Sequence, residues 1–172
     1  AWADGAKASV NAKDCDDVPK PGTFFIIRRE FRDGDEVRLS LPMRVRVEKS
    51  VANSVSLLRG PLVYALKIKT QRMVATKFPA KDAAFPAWDE IAVSDWNYAL
   101  AINDEDGAGK VKVDAHSVGD AYPWTPQTTP VTLTAPARQV SAWKLTDKGE
   151  NPPLPEPPFA QSQQIILVEL VP

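Results

Sequence analysis

The chain has 172 residues, room for one medium domain or two small ones. Its 21 Lys and Arg against 22 Asp and Glu leave a net charge of -1, which argues against non-specific nucleic-acid binding, since that needs surplus positive charge. One cysteine and one histidine exclude an internal disulfide, a cysteine-only zinc or iron–sulfur site and a multi-histidine metal site.

No apolar run approaches the roughly 20 residues that cross a bilayer as a helix, so no membrane partner is expected. The first residues do not read as a signal peptide, although Ala1 need not be the native start. The 16 prolines cut the chain into short segments and leave little room for long helices.

In chain order, KASVNA at 7–12 alternates as a short strand, and a polar, turn-rich stretch holding Cys15 follows. TFFIIRREF at 23–31 reads as a strand buried on both faces at its start and exposed at its end. RDGD at 32–35 is a turn, with Gly34 supplying a positive φ. Glu36–Leu41 alternates, with Val37, Leu39 and Leu41 on one face, and Pro42 ends it. Arg44–Lys49 resumes the period.

Ser54–Ile68 holds two apolar strands around a sharp Arg59-Gly60-Pro61 bend. The stretch 71–89 lacks a steady period and reads as a crossover or boundary. SDWNYALAIN at 94–103 puts Trp96, Tyr98, Leu100 and Ile102 on one strand face, and DEDGAG leads to a return strand at 110–113. Strands at 131–134 and 137–145 are expected on either side of Pro136. Five prolines between Asn151 and Pro158 make an extended, rigid connection before a last apolar strand at 164–171. About eleven short strands at this spacing predict an all-β, antiparallel β-sandwich of jelly-roll or Ig-like type.

Charge is uneven: residues 20–72 carry net +7 and residues 82–120 net -7. The two stretches face each other across a seam or, as the plainer expectation, form solvated faces.

Few residues offer chemistry. Asp33 and Asp35 sit on a tight turn, where short acidic side chains bond local amides, and a glycosidase carboxylate pair needs a pocket that a hairpin turn does not make. Asp104, Asp106 and Asp114 surround a loop that fails the EF-hand register. His116 has Asp114 and Asp120 nearby but no nucleophile motif. Cys15 lies among carboxylates that disfavour the thiolate. No catalytic residue, metal site or cofactor is therefore expected. Of the tryptophans, Trp96 and Trp143 fall within strands and suit a core. Trp124, in the proline-rich AYPWTP loop, is the one speculative ligand-binding residue, as a platform for a sugar ring.

The ordered phrases REFRDGDEVRLSLPMRVR, LLRGPLVYAL, DWNYAL and VTLTAPARQVSAWKL, with PLPEPP and ILVELVP, resemble the non-catalytic C-terminal β-sandwich region of glycoside hydrolase family 127, the β-L-arabinofuranosidases and their relatives. The opening AWADGAKASVNAK is similar to that family's Trp-containing strand. The resemblance is weakest from Gln71 to Glu90. It implies an N-terminal (α/α)6 barrel in the same polypeptide, holding a cysteine nucleophile, a zinc-associated cysteine cluster and an acid/base glutamate. Cys15 matches none of those ligands, so the chain alone is not expected to be an enzyme.

The resemblance further implies two units, with residues 1–68 as later strands of a first sandwich and 69–172 as a second lacking its last strand. RGPLVYAL could belong to either. A sandwich short of a strand exposes unpaired backbone groups, which predicts a homodimer or poor solubility were Pro172 the true end. The expected role is non-catalytic support of a glycoside hydrolase acting on β-L-arabinofuranosides or related plant glycans. The alternatives are a carbohydrate-binding module and a protein interaction domain. A secreted or periplasmic setting is slightly favoured, with the cytoplasm open.

Overall fold

The computed structural model describes residues 3–76, 81–82, 84–102, 107–120 and 122–172. Every ladder among them is antiparallel, and the helical content is two short 3-10 turns, at Val51–Asn53 and Gly107–Lys110. The all-β, sandwich-type fold expected from the proline count and the short alternating segments is what the chain forms.

The first sheet joins β1 (Lys7–Val10), β2 (Lys13–Asp14) and β3 (Val37–Ser40) in the order β2-β1-β3. Val10 pairs with Lys13 across a two-residue loop in which Asn11 and Ala12 both take positive φ, at 50° and 63°. That is the pattern of a type I′ hairpin, whose twist matches the flanking strands. Asn tolerates it readily and Ala does not, so Ala12 holds local strain.

The main sheet has seven strands. Its path runs β10 (Lys112–Ala115), β11 (Val131–Gln139), β12 (Ile166–Val171), β6 (Leu62–Leu66), β5 (Val55–Arg59), β4 (Val45–Lys49). The seventh strand, β9 (Tyr98–Leu100), pairs with the far end of β11 on the side that β10 occupies nearer its start. β5 and β6 are joined through Gly60, at φ +58°, and Pro61, whose ring fixes the opposite sign. This fits a II′ hairpin, and Gly is the residue that takes its first position without strain. Leu66 and Ala65 of β6 pair with Leu170 and Val171 of β12, so the sheet runs across residue 68 and ties residues 45–66 to the C-terminal strand. Lys67 and Glu169 reinforce this seam with a backbone bond of 2.9 Å and an ion pair of 3.0 Å.

Period 2 decides which residues enter the core. Leu57, Tyr64, Leu133, Ala135, Ala137, Val168 and Leu170 share one buried cluster, with Val45, Val47, Leu66 and Leu100 packed around it. Leu57 and Leu133 are 1% and 0% exposed, whereas Leu167, one step out of phase on β12, is 71% exposed.

Four expectations meet corrections. TFFIIRREF forms no strand: Phe24 is 97% exposed, and no described strand bonds the segment. Its apolar run is real, but the described residues supply no sheet for it to join. β3 forms as expected, yet Val37 and Leu39 stand half exposed on an edge strand, while their neighbours Ala8 and Val10 on β1 are buried. The stretch 71–89 is not only a connection, because β7 (Thr70–Val74) and β8 (Trp88–Ala92) pair along their whole length as a two-stranded ribbon. Finally, Pro136 does not split two strands. β11 runs unbroken through it, because Pro136 sits where the β9 pairing gives out. Its carbonyl accepts the Ala101 N–H at 2.8 Å, and only the return bond is lost.

Candidate functional site

The residues singled out for chemistry resolve into local bracing. Asp35 caps its own turn: its Oδ2 accepts the Arg32 N–H at 2.8 Å, and its Oδ1 accepts from Asn11 Nδ2 at 2.7 Å. Arg29 adds an ion pair at 3.2 Å. The Arg32 amide, then the Asn11 amide, hold the Asp35 carboxyl below the usual carboxylate range, against some desolvation. Asp33 is not bonded into this group.

Asp104 and Asp106 lie outside the described residues. Asp114, on β10, pairs with Lys112 at 2.6 Å and accepts from Thr134 Oγ1 at 3.3 Å, and the lysine contact chiefly lowers its pKa. Among the described residues no three His, Cys, Asp or Glu side chains are grouped for a metal. His116 Nε2 lies 3.0 Å from Thr132 Oγ1, an anchor at the outer side of β11. Cys15 is half-buried, and its N–H bonds the Ala8 carbonyl at 2.9 Å.

The tryptophans divide differently from the sequence expectation. Trp124 is half exposed on its loop. Trp88 lies on the ribbon beneath the Arg72 guanidinium at 5.6 Å, with Glu90 bonded to the same arginine. Trp96 and Trp143 do not fill the core. They meet edge to face, 5.1 Å between centroids at 73°, and both line a groove of about 640 Å³.

This groove lies over the inner face of the main sheet. Leu57, Tyr64, Val168 and Leu170 make its floor, Trp96 and Tyr98 stand at the β9 side, and Trp143 and Phe159 enter from the segment after β11. The proline run expected as a rigid connection forms a wall, through Pro155, Pro157 and Pro158. Trp143 is held in place, since its Nε1–H donates to the Pro153 carbonyl at 3.0 Å. Asn53 and Gln161 bring uncharged amides to the rim, and among the described residues no charged side chain lines the groove.

Beneath the floor, the Tyr64 hydroxyl is buried beside Arg59 of the adjacent strand, whose Nε is buried as well. Burial pushes the Tyr64 phenol up, partly opposed by the positive charge of Arg59. The 94–103 alternation showed that Trp96 and Tyr98 share a face. The approach of Trp143 and Phe159 to that face has no sequence signal, because it depends on how 140–161 folds back.

No curated protein matches the chain in sequence. Residues 1–43, the part that carries β1, β2, β3 and the Asp35 turn, match the family model described as beta-L-arabinofuranosidase, GH127 middle domain, so this first quarter of the chain is similar to the middle domain of glycoside hydrolase family 127.

Proposed function

We propose that the chain is a non-catalytic accessory part of a glycoside hydrolase that acts on β-L-arabinofuranosides or related plant glycans. The observation that carries this reading is the family match at residues 1–43. In this reading the domain packs against an (α/α)6 catalytic barrel of the same polypeptide and supports it. The half-exposed apolar side chains around β3 and the extended 23–31 segment suit such a contact, because an isolated soluble domain gains nothing by leaving Phe24 and Ile26 in water.

The test is the intact mass of the native gene product, found with an antibody raised against this chain. A species several times heavier than 18.9 kDa, with hydrolytic activity on a chromogenic β-L-arabinofuranoside, supports the reading. A native product near 18.9 kDa overturns it.

A further inference from the structure

We propose that the groove beneath Trp96 and Trp143 is a binding site for a short, neutral oligosaccharide. The proposal goes beyond mechanical support, and its choice of ligand class rests on the glycoside hydrolase reading above. Four observations carry it.

The volume, about 640 Å³, falls within the range of about 300–1,000 Å³ that holds small ligands. The walls are aromatic and proline rings, flat apolar surfaces that match the C–H faces of furanose and pyranose rings. Trp143 is locked by the Pro153 carbonyl and by the edge of Trp96, so stacking costs little side-chain freedom. The polar groups at the rim are neutral: the Asn53 and Gln161 amides, which can both donate to and accept from sugar hydroxyls.

Among the described residues the lining carries no cation to pair with a uronic acid or a phosphate, so a neutral sugar suits it better. The site lies apart from Trp124, where sequence alone put a sugar platform.

The experiment titrates the chain with neutral arabino-oligosaccharides, read by tryptophan fluorescence and by saturation transfer to the ligand protons. Saturable binding in the millimolar range or tighter is expected. Trp96→Ala should weaken it about tenfold or more, as loss of an aromatic anchor does. Gln161→Ala, at the exposed rim, should weaken it severalfold, and carries the test even where Trp96→Ala does not fold. Trp124→Ala should leave affinity unchanged, and oligogalacturonate of equal length should not bind.

No saturation by any neutral oligosaccharide overturns the proposal, as does binding lost in Trp124→Ala but kept in both groove variants. Equal binding of the anionic sugar also overturns it, as does saturable binding of an uncharged proline-rich peptide in place of the glycan. A null titration with a heavy native product defeats the groove and leaves the accessory reading standing. Binding with a native product near 18.9 kDa does the reverse.

Discussion

Asn11 and Asp35 hold each other across the first sheet: the Asn11 amide donates to Asp35 Oδ1 at 2.7 Å, and its carbonyl oxygen accepts the Glu36 N–H at 2.9 Å. The Asn11 backbone N–H returns a bond to the Glu36 carbonyl, also at 2.9 Å. One side chain thus clamps the β1–β2 hairpin to the turn that opens β3, and it does so from a left-handed backbone position that Asn tolerates well. Asn11→Ala removes both side-chain bonds and puts a Cβ-bearing residue without local compensation at φ +50°. The expected loss is about 1–2 kcal/mol in urea unfolding. Asn11→Gly, which relieves the backbone but not the bonds, should fall between the two.

Asp35 should make stability depend on acid. Its folded pKa lies below the ordinary value, so its contribution is fully present above the unfolded carboxylate range near pH 4 and is lost as pH falls through the lowered folded value. Wild type should therefore lose stability more steeply than Asp35→Asn between about pH 4 and pH 2, with the variant the less stable at neutral pH. Parallel stability–pH curves would remove Asp35 from the account.

The phase of β12 and β5 sets a sharp contrast. Leu57→Ala empties a fully buried position and should cost about 2–5 kcal/mol. Leu167→Ala, exposed on the same sheet, should stay within about 0.5 kcal/mol of wild type. Thermal melts of the two variants read the difference directly.

Pro136→Ala tests why a proline sits in a central strand. It restores an N–H on the side where only the Pro136 carbonyl now bonds Ala101, while giving up the unfolded-state restriction that proline provides. The two effects oppose, and the net change should be within about 1 kcal/mol, with the β-sheet circular dichroism unchanged. A collapse of the fold would mean that Pro136 does more than occupy a rung it does not need.

The exposed apolar side chains of the 23–31 segment should show in solution. The chain alone is expected to self-associate with rising concentration, and Phe24→Ser with Ile26→Ser should reduce it, as read by light scattering on a sizing column. A monomer at all concentrations would show that this face does not drive contact with a second copy.

Much of this was legible in the residues. Alternation placed β3, β4 and β6, because a half-buried strand must repeat every second residue, and apolar runs placed β5 and β12. The Gly60-Pro61 bend and the Gly34 turn followed from backbone chemistry that few other residues offer. The 71–89 ribbon escaped notice because its residues are exposed on both faces, so neither face imposes a period. TFFIIRREF misled because an apolar run reports what a segment needs to bury and not whether a partner is within reach.

The groove shows the same division. By itself the sequence determined an all-β chain, the phase of β3, β4 and β6, the Gly34 and Gly60-Pro61 turns and the shared face of Trp96 and Tyr98, all of which are local consequences of period, sterics and proline. Only the tertiary structure decided that β6 bonds β12, that β9 and β10 lie end to end along β11, and that Trp143 and the proline run close over Trp96. Those pairings join residues far apart in the chain, where local propensity is silent and the choice falls to burial of side chains against partners that sequence order does not name.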